Sequence, residues 1–287
     1  MKNLIKTTLA VILFIFSGTI EAQQKSPKLE NSLLWEVSGN GLSKPSYLYG
    51  TIHMICSGDY FLSDKAKRAF DASNKLVLEI NLTDPKEMAE MQEASTKAEP
   101  ITKKLNTEQL AKFEDILKKT TGLNVAQIDN YGLAGAMSLV SMKNYGCKDL
   151  KQYEMEFISR AQKNNIQVGG LETAKAQLLA IDNAYTNDEM ITFLKEFDPE
   201  VTAKLVKAYK EENVNDLFTI LTDKKMASER TNKAILDDRN KNWAKDMPQI
   251  MKNESVFFAF GSAHLGGDLG VINLLRKAGY IVKPVMN

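Results

Sequence analysis

The chain carries two histidines, and both close the same seven-residue phrase. The first is Tyr47-Leu48-Tyr49-Gly50-Thr51-Ile52-His53, and the second is Phe258-Ala259-Phe260-Gly261-Ser262-Ala263-His264. Each runs aromatic, aliphatic, aromatic, Gly, small hydroxyl, aliphatic, His. Imidazole titrates near neutral pH and is the commonest protein metal ligand. A matched pair in a His-poor chain therefore points to two nitrogens around one divalent ion. The plainer reading is two unrelated loop histidines, each satisfied by a backbone carbonyl.

Glu79 follows the apolar run Leu76-Val77-Leu78. A carboxylate in a buried strand must pair or coordinate a metal, because burying it alone is costly. Two His and one carboxylate make a recognised metal-site composition. Glu79 could instead be a general base, or pair with a nearby Arg. Glu172 closes Gly169-Gly170-Leu171-Glu172 and repeats that logic, although a Glu at a helix start also complements the helix dipole. Arg239 lies in Leu236-Asp237-Asp238-Arg239-Asn240-Lys241-Asn242-Trp243. An arginine in a site can hold a substrate carboxylate or stabilise an oxyanion; by position alone this one is a charged helix residue. Thr51 and Ser262 offer hydroxyls near the histidines, but no G-x-S-x-G elbow and no H-E-x-x-H helix is present.

The elements that must position these residues follow from periodicity. Residues 33–37 and 47–52 predict a hairpin across a Gly/Ser/Pro-rich turn, and 63–72 a helix capped by Ser63. Residues 76–80, 166–171 and 256–260 are apolar runs of buried-strand length. Residues 84–164 have mostly helical spacing, including a helix capped by Thr107, and 187–253 return to helices rich in Lys and Glu. Residues 269–277 and 280–285 predict a last helix and strand. The fold class is α/β with α+β character: a small central mixed sheet and a large helical insertion at about 84–253. Residues 23–287 form a single domain. His53 and His264 both fall just past strand carboxyl ends, where open α/β sheets collect ligands.

Residues 1–22 have a basic start, an apolar run at 9–16, then small residues ending at Ala22, the pattern of a secretory signal peptide. The run is too short to span a bilayer, so no stable membrane insertion is expected; the chain should be exported, to a periplasm or the exterior. Without that segment, basic and acidic residues balance, which argues against nucleic acid as a partner. The two cysteines, Cys56 and Cys147, suggest one disulfide in an exported chain, with two free thiols as the alternative.

Gly50-Thr51-Ile52-His53, Glu79, Gly170-Leu171-Glu172-Thr173 with Gln177, Arg239-Asn240 and Gly261-Ser262-Ala263-His264, in this order, resemble the TraB/GumN family, which includes the TIKI proteins. The resemblance implies a fold similar to erythromycin esterases and haem-binding ChaN proteins. It also implies a metal-dependent hydrolase, with a peptide or protein substrate and a divalent ion such as manganese or cobalt; zinc suits the same donors. It raises Arg239 above its standing by position. The resulting expectation is a metallopeptidase with His53, His264 and Glu79 around the metal, Arg239 at the substrate or oxyanion, and Glu172 in reserve as base. The alternatives are a non-catalytic haem-, metal- or peptide-binding protein and a metal-free esterase. The substrate, the metal and the oligomeric state are not encoded in any motif.

Overall fold

A computed structural model describes residues 28–286; the expected leader at 1–22 lies outside them. Among the described residues the eight strands are β1 (Leu34–Ser38), β2 (Ser46–Thr51), β3 (Met54–Cys56), β4 (Lys75–Leu78), β5 (Leu150–Gln152), β6 (Gln167–Gly170), β7 (Val256–Gly261) and β8 (Ile281–Pro284). Six form one sheet in the order β6-β4-β7-β2-β1-β8. The block β6-β4-β7-β2 is parallel, and β1 is antiparallel to both its neighbours. The sheet is mixed, as the sequence predicts.

Every residue of β7 is buried. A strand covered on both faces reads as an unbroken apolar run, not as alternation, which is why Val256 to Phe260 contains no polar residue. Phe257 packs with Tyr49, Phe70 and Phe157 on the β2 side of the core. The helix Asp64–Asp71 begins at Ser63, whose hydroxyl accepts from the Ala66 N–H, and covers this cluster with Phe70.

The insertion is mainly helical, but it also sends two strands out. β6 joins the main sheet beside β4. β5 pairs with β3 in a separate two-stranded sheet that periodicity did not reveal; three-residue strands are too short to show a pattern. A second apolar cluster, including Phe113, Leu117, Leu133, Val140 and Met190, gives the insertion its own core. Its helix Thr107–Thr121 is capped by Asn106, not by the predicted Thr107: Asn106 accepts from the Gln109 N–H, and Gln109 returns the bond.

The cysteines are bridged. Cys56 and Cys147 have Cα atoms 6.0 Å apart and join the end of β3 to the segment entering β5. Among the described residues no helix is long and apolar enough to cross a membrane.

Candidate active site

Four adjacent parallel strands end in the four chemistry-bearing residues. Across the sheet the order is Glu172 after β6, Glu79 after β4, His264 after β7 and His53 after β2. Residues 211 positions apart in sequence therefore meet because their strands are neighbours pointing the same way.

Glu79 is the hub. Its Oε1 lies 3.8 Å from His53 Nε2 and 4.0 Å from His264 Nε2, and accepts the Gly261 backbone N–H at 2.8 Å. Its Oε2 accepts from Arg239 Nη2 at 2.5 Å and from Gln177 Nε2 at 2.9 Å. Burial opposes a charge on Glu79, but Arg239, with help from both histidines and the Gly261 N–H, outweighs it and holds the carboxyl down at about 2.

Arg239 arrives on the helix Asp238–Ile250, immediately after a π-helical turn at Lys233–Asp237. Such turns shift the phase of a helix and recur at functional sites. Here Arg239, Asn240 and Trp243 are all buried. Arg239 also grips Glu172, with Nη2 to Oε1 at 2.6 Å and Nε to Oε1 at 3.0 Å, and its guanidinium lies over the Trp243 ring. Glu172 is thus tied to the same guanidinium as Glu79, and the cap of Ala174–Ala184 is Thr173. Two carboxylates already occupy the guanidinium, so Arg239 organises the site and has little left for a substrate carboxylate.

The histidines differ. His264 is buried, with Nδ1 2.6 Å from Asn240 Oδ1. Asn240 donates its amide N–H to the Leu269 carbonyl, so its oxygen faces the ring. The proton is thereby assigned to His264 Nδ1, leaving a lone pair on Nε2. Burial pushes this ring down to about 3, keeping it neutral. His53 sits at φ 59° in a tight turn where the Met54 N–H reaches the Ile52 carbonyl. Its side chain is 54% exposed. Desolvation opposes its charge, but the Glu154 carboxylate, 2.9 Å from Nδ1, overrides this and raises the ring to about 9.

Glu154 is the residue that sequence reasoning missed. It lies in the first turn of the helix Tyr153–Lys163, where an acid is ordinary dipole chemistry. Only the β3–β5 pairing brings it to His53: the Tyr153 N–H donates to the His53 carbonyl at 2.8 Å, and the Thr51 hydroxyl donates to Glu154 Oε1. Gln177 and Asn240 carried a signal only as members of the family pattern.

The two Nε2 atoms indicate what the site could hold: His264 Nε2 carries a lone pair, and on His53, raised to about 9, an ion would take the place of the Nε2 proton. Both Nδ1 atoms face acceptors, so both Nε2 atoms turn toward Glu79 Oε1 at distances too long for hydrogen bonds. They are near twice the ~2.0–2.2 Å of zinc–nitrogen or zinc–oxygen bonds. The chemistry of this donor set fits a divalent ion. As it stands, no group of three or more His, Cys, Asp or Glu among the described residues closes into a metal cage, and Arg239 Nη1 occupies the space 3.2 Å from His264 Nε2. The hydroxyls are poorly placed as nucleophiles: Thr51 is tied to Glu154, and Ser262 Oγ is buried without a hydrogen-bond partner.

A cavity of about 230 Å³ opens beside His53, Glu79 and Glu154. It is smaller than the ~300–1,000 Å³ of most cofactor pockets. Larger hollows of about 570, 450 and 330 Å³ are lined by none of the four strand-end residues, and one of about 310 Å³ is lined by Glu172.

The model of the TraB/PrgY/gumN family matches residues 33–284. The chain is similar to "Metalloprotease TIKI2" of Danio rerio, 23% identical over 328 residues covering 90% of this chain and 62% of that protein. It is similar to "Metalloprotease TIKI1" of Danio rerio at 21% over 323 residues, 88% of this chain and 63% of the relative. It is also similar to "Metalloprotease TIKI homolog" of Nematostella vectensis at 22% over 324 residues, 89% and 67%. The chain thus spans somewhat under two thirds of the length of the first two.

Proposed function

The chain belongs to the TraB/PrgY/gumN family, and on that premise we propose that it is an exported metal-dependent hydrolase acting on peptide bonds. The observation that carries this reading is the approach of His53 Nε2 and His264 Nε2 to one oxygen of Glu79. The similar proteins named metalloproteases support the reaction class. The disulfide, together with the leader-like residues 1–22, supports export.

His53, His264 and Glu79 would hold the ion, for which manganese, cobalt and zinc are all chemically suitable. A divalent ion there supplies Lewis acidity toward a peptide carbonyl and a more acidic water. The chain's own residues do the rest. Asn240 fixes the His264 tautomer, and Glu154 does the same for His53, as partners beyond the ligands do in metal sites generally. Gly261, Gln177 and Arg239 keep Glu79 ionised and aimed. Arg239 holds Glu172 and Glu79 apart as a cation between two anions, and its Nη1 edge presents positive charge to the reacting region. Glu154 keeps a proton on His53 Nδ1.

The test is calorimetric titration of the purified protein with Mn²⁺, Co²⁺ and Zn²⁺, paired with a peptide-cleavage assay. His53→Ala and His264→Ala should each weaken binding at least tenfold and abolish cleavage. Undiminished one-to-one binding in both variants would remove the metal role.

A further inference from the structure

We propose that the cavity beside His53 and Glu79 is a side-chain subsite that selects a long apolar residue of the substrate without a β-branch, of the methionine or leucine class. This rests on the peptidase reading for its function, though not for its binding chemistry. Three observations carry it.

The first is the wall. Leu78 and Ile80 flank Glu79 in sequence and are 1% and 6% exposed. Together with Met54, Leu82 and Met91 they make up the apolar half of the cavity lining, beside the polar His53, Glu79, Gln152, Glu154 and Gln177. A side chain entering there is desolvated against aliphatic carbon within reach of the histidine. The volume of about 230 Å³ suits one side chain, below what a whole small-molecule ligand usually requires.

The second is charge. The charged residues lining the cavity are His53, Glu79 and Glu154, with no lysine or arginine. An acidic substrate side chain would meet two carboxylates. A basic one would find their oxygens committed: Glu79 to Arg239, Gln177 and Gly261, and Glu154 to His53 and Thr51. An uncharged side chain faces neither cost.

The third is the rim. The helix Pro85–Thr96 buries only Glu87, yet it presents Met88 and Met91 at 46% and 36% exposure, one turn apart. Thioether side chains are flexible and polarisable and adapt to varied apolar partners. Exposed methionines beside a cavity mouth thus match a subsite that accepts a class of apolar side chain and does not demand one shape. A missing methylene in such a pocket is worth about 10–200-fold.

The experiment measures equilibrium binding of pentapeptides Ala-Ala-X-Ala-Ala, with X as Met, Leu, Val, Glu or Lys, to the metal-free protein in chelator, so that turnover does not intrude. Met and Leu should bind at least tenfold tighter than Glu or Lys. Met91→Arg and Leu82→Arg should each erase that preference, while Met91→Leu keeps it; circular dichroism confirms that each variant folds. Equal binding of the Glu and Met peptides, no binding of any, or a preference surviving both arginine variants would overturn the subsite. The same panel is then offered to the metal-loaded protein. Cleavage without Met or Leu preference sinks the subsite alone. A Met and Leu preference in binding with no cleavage under any ion supports the subsite and sinks the peptidase reading.

Discussion

Thr51 pairs with Gly261 across the β2–β7 ladder, not with Ser262, its counterpart in the repeated phrase. The two phrases therefore lie one residue out of step. A one-residue offset turns corresponding side chains to opposite faces of a sheet, so the repetition in sequence does not become symmetry in space. His53 leaves β2 through a left-handed turn and stays half-exposed, whereas His264 leaves β7 in a short 3-10 turn and is buried.

The offset predicts unequal rings. With only two histidines in the chain, NMR titration of the metal-free protein reads each directly. One ring should remain protonated until about pH 9, and the other should stay neutral down to about pH 3. Glu154→Gln should bring the first back toward the ordinary value near 6.5 and leave the second in place. Two rings titrating together near 6.5 would contradict the arrangement.

Arg239 is the counter-charge for two buried carboxylates, with Glu79 and Glu172 side chains 11% and 10% exposed. Arg239→Ala should cost about 3–5 kcal/mol, because removing one partner strands the others. Arg239→Lys should recover only part, since an ammonium cannot fork across both anions. Urea unfolding followed by circular dichroism gives the numbers. In a double-mutant cycle, Arg239→Met with Glu79→Gln should cost less than the sum of the two single changes.

The two motif glycines should fail differently. A Cβ on Gly261 would lie 2.9 Å from His53 Nε2, and one on Gly50 would lie 2.6 Å from Leu265 Cδ1 and 3.1 Å from the Ser262 backbone. Gly261→Ala should displace the half-exposed ring and weaken metal binding with little change in melting temperature. Gly50→Ala should overpack the core and destabilise by about 1–3 kcal/mol. Calorimetry of metal binding beside a thermal melt separates the two.

The disulfide closes a sequence separation of 91 residues, for which the chain-entropy model gives about 4–5 kcal/mol. Cys56→Ser with Cys147→Ser should destabilise the fold by up to that amount and lower the melting temperature accordingly. It should also loosen the β3–β5 sheet that carries His53 to Glu154, so the raised His53 titration should fall in the same variant. A variant that melts lower with an unchanged His53 titration would show that the bridge braces the fold and not the site.

Acid should remove one local support of the insertion. Glu189 is held down at about 2, chiefly by the Thr186 backbone N–H it accepts, with Ser228, the Thr186 hydroxyl and Arg230 assisting. Its folded value lies below the unfolded one, so its stabilisation is fully present above about pH 4.5 and disappears as pH falls through about 2. Glu189→Gln should therefore lower the melting temperature at pH 7, and the gap to the parent protein should close near pH 2.

Much of this protein was legible in the order of its residues. Continuous apolar runs marked β4 and β7, a Gly/Ser/Pro-rich turn between two strand-like segments marked the β1–β2 hairpin, and four candidate residues lay in or just past such segments. His53, Glu79, Glu172 and His264 could be nominated because a charge or an imidazole in or just past a buried strand has few inexpensive explanations; only the structure ends β4 at Leu78 and leaves Glu79 beyond it. The parallel sheet then made those ends neighbours. What the sequence could not express was pairing across distance. Glu154 looked like an ordinary first-turn acid until the three-residue strands β3 and β5 met, and strands that short leave no period to detect. Arg239 looked like surface charge until the π-turn rotated it onto two carboxylates. The repeated phrase announced two equivalent histidines, and a one-residue register in the β2–β7 ladder made them unequal. Residue type and spacing determined which groups are present at the sheet's edge; strand order, register and helix phase decided which of them touch and which proton each one holds.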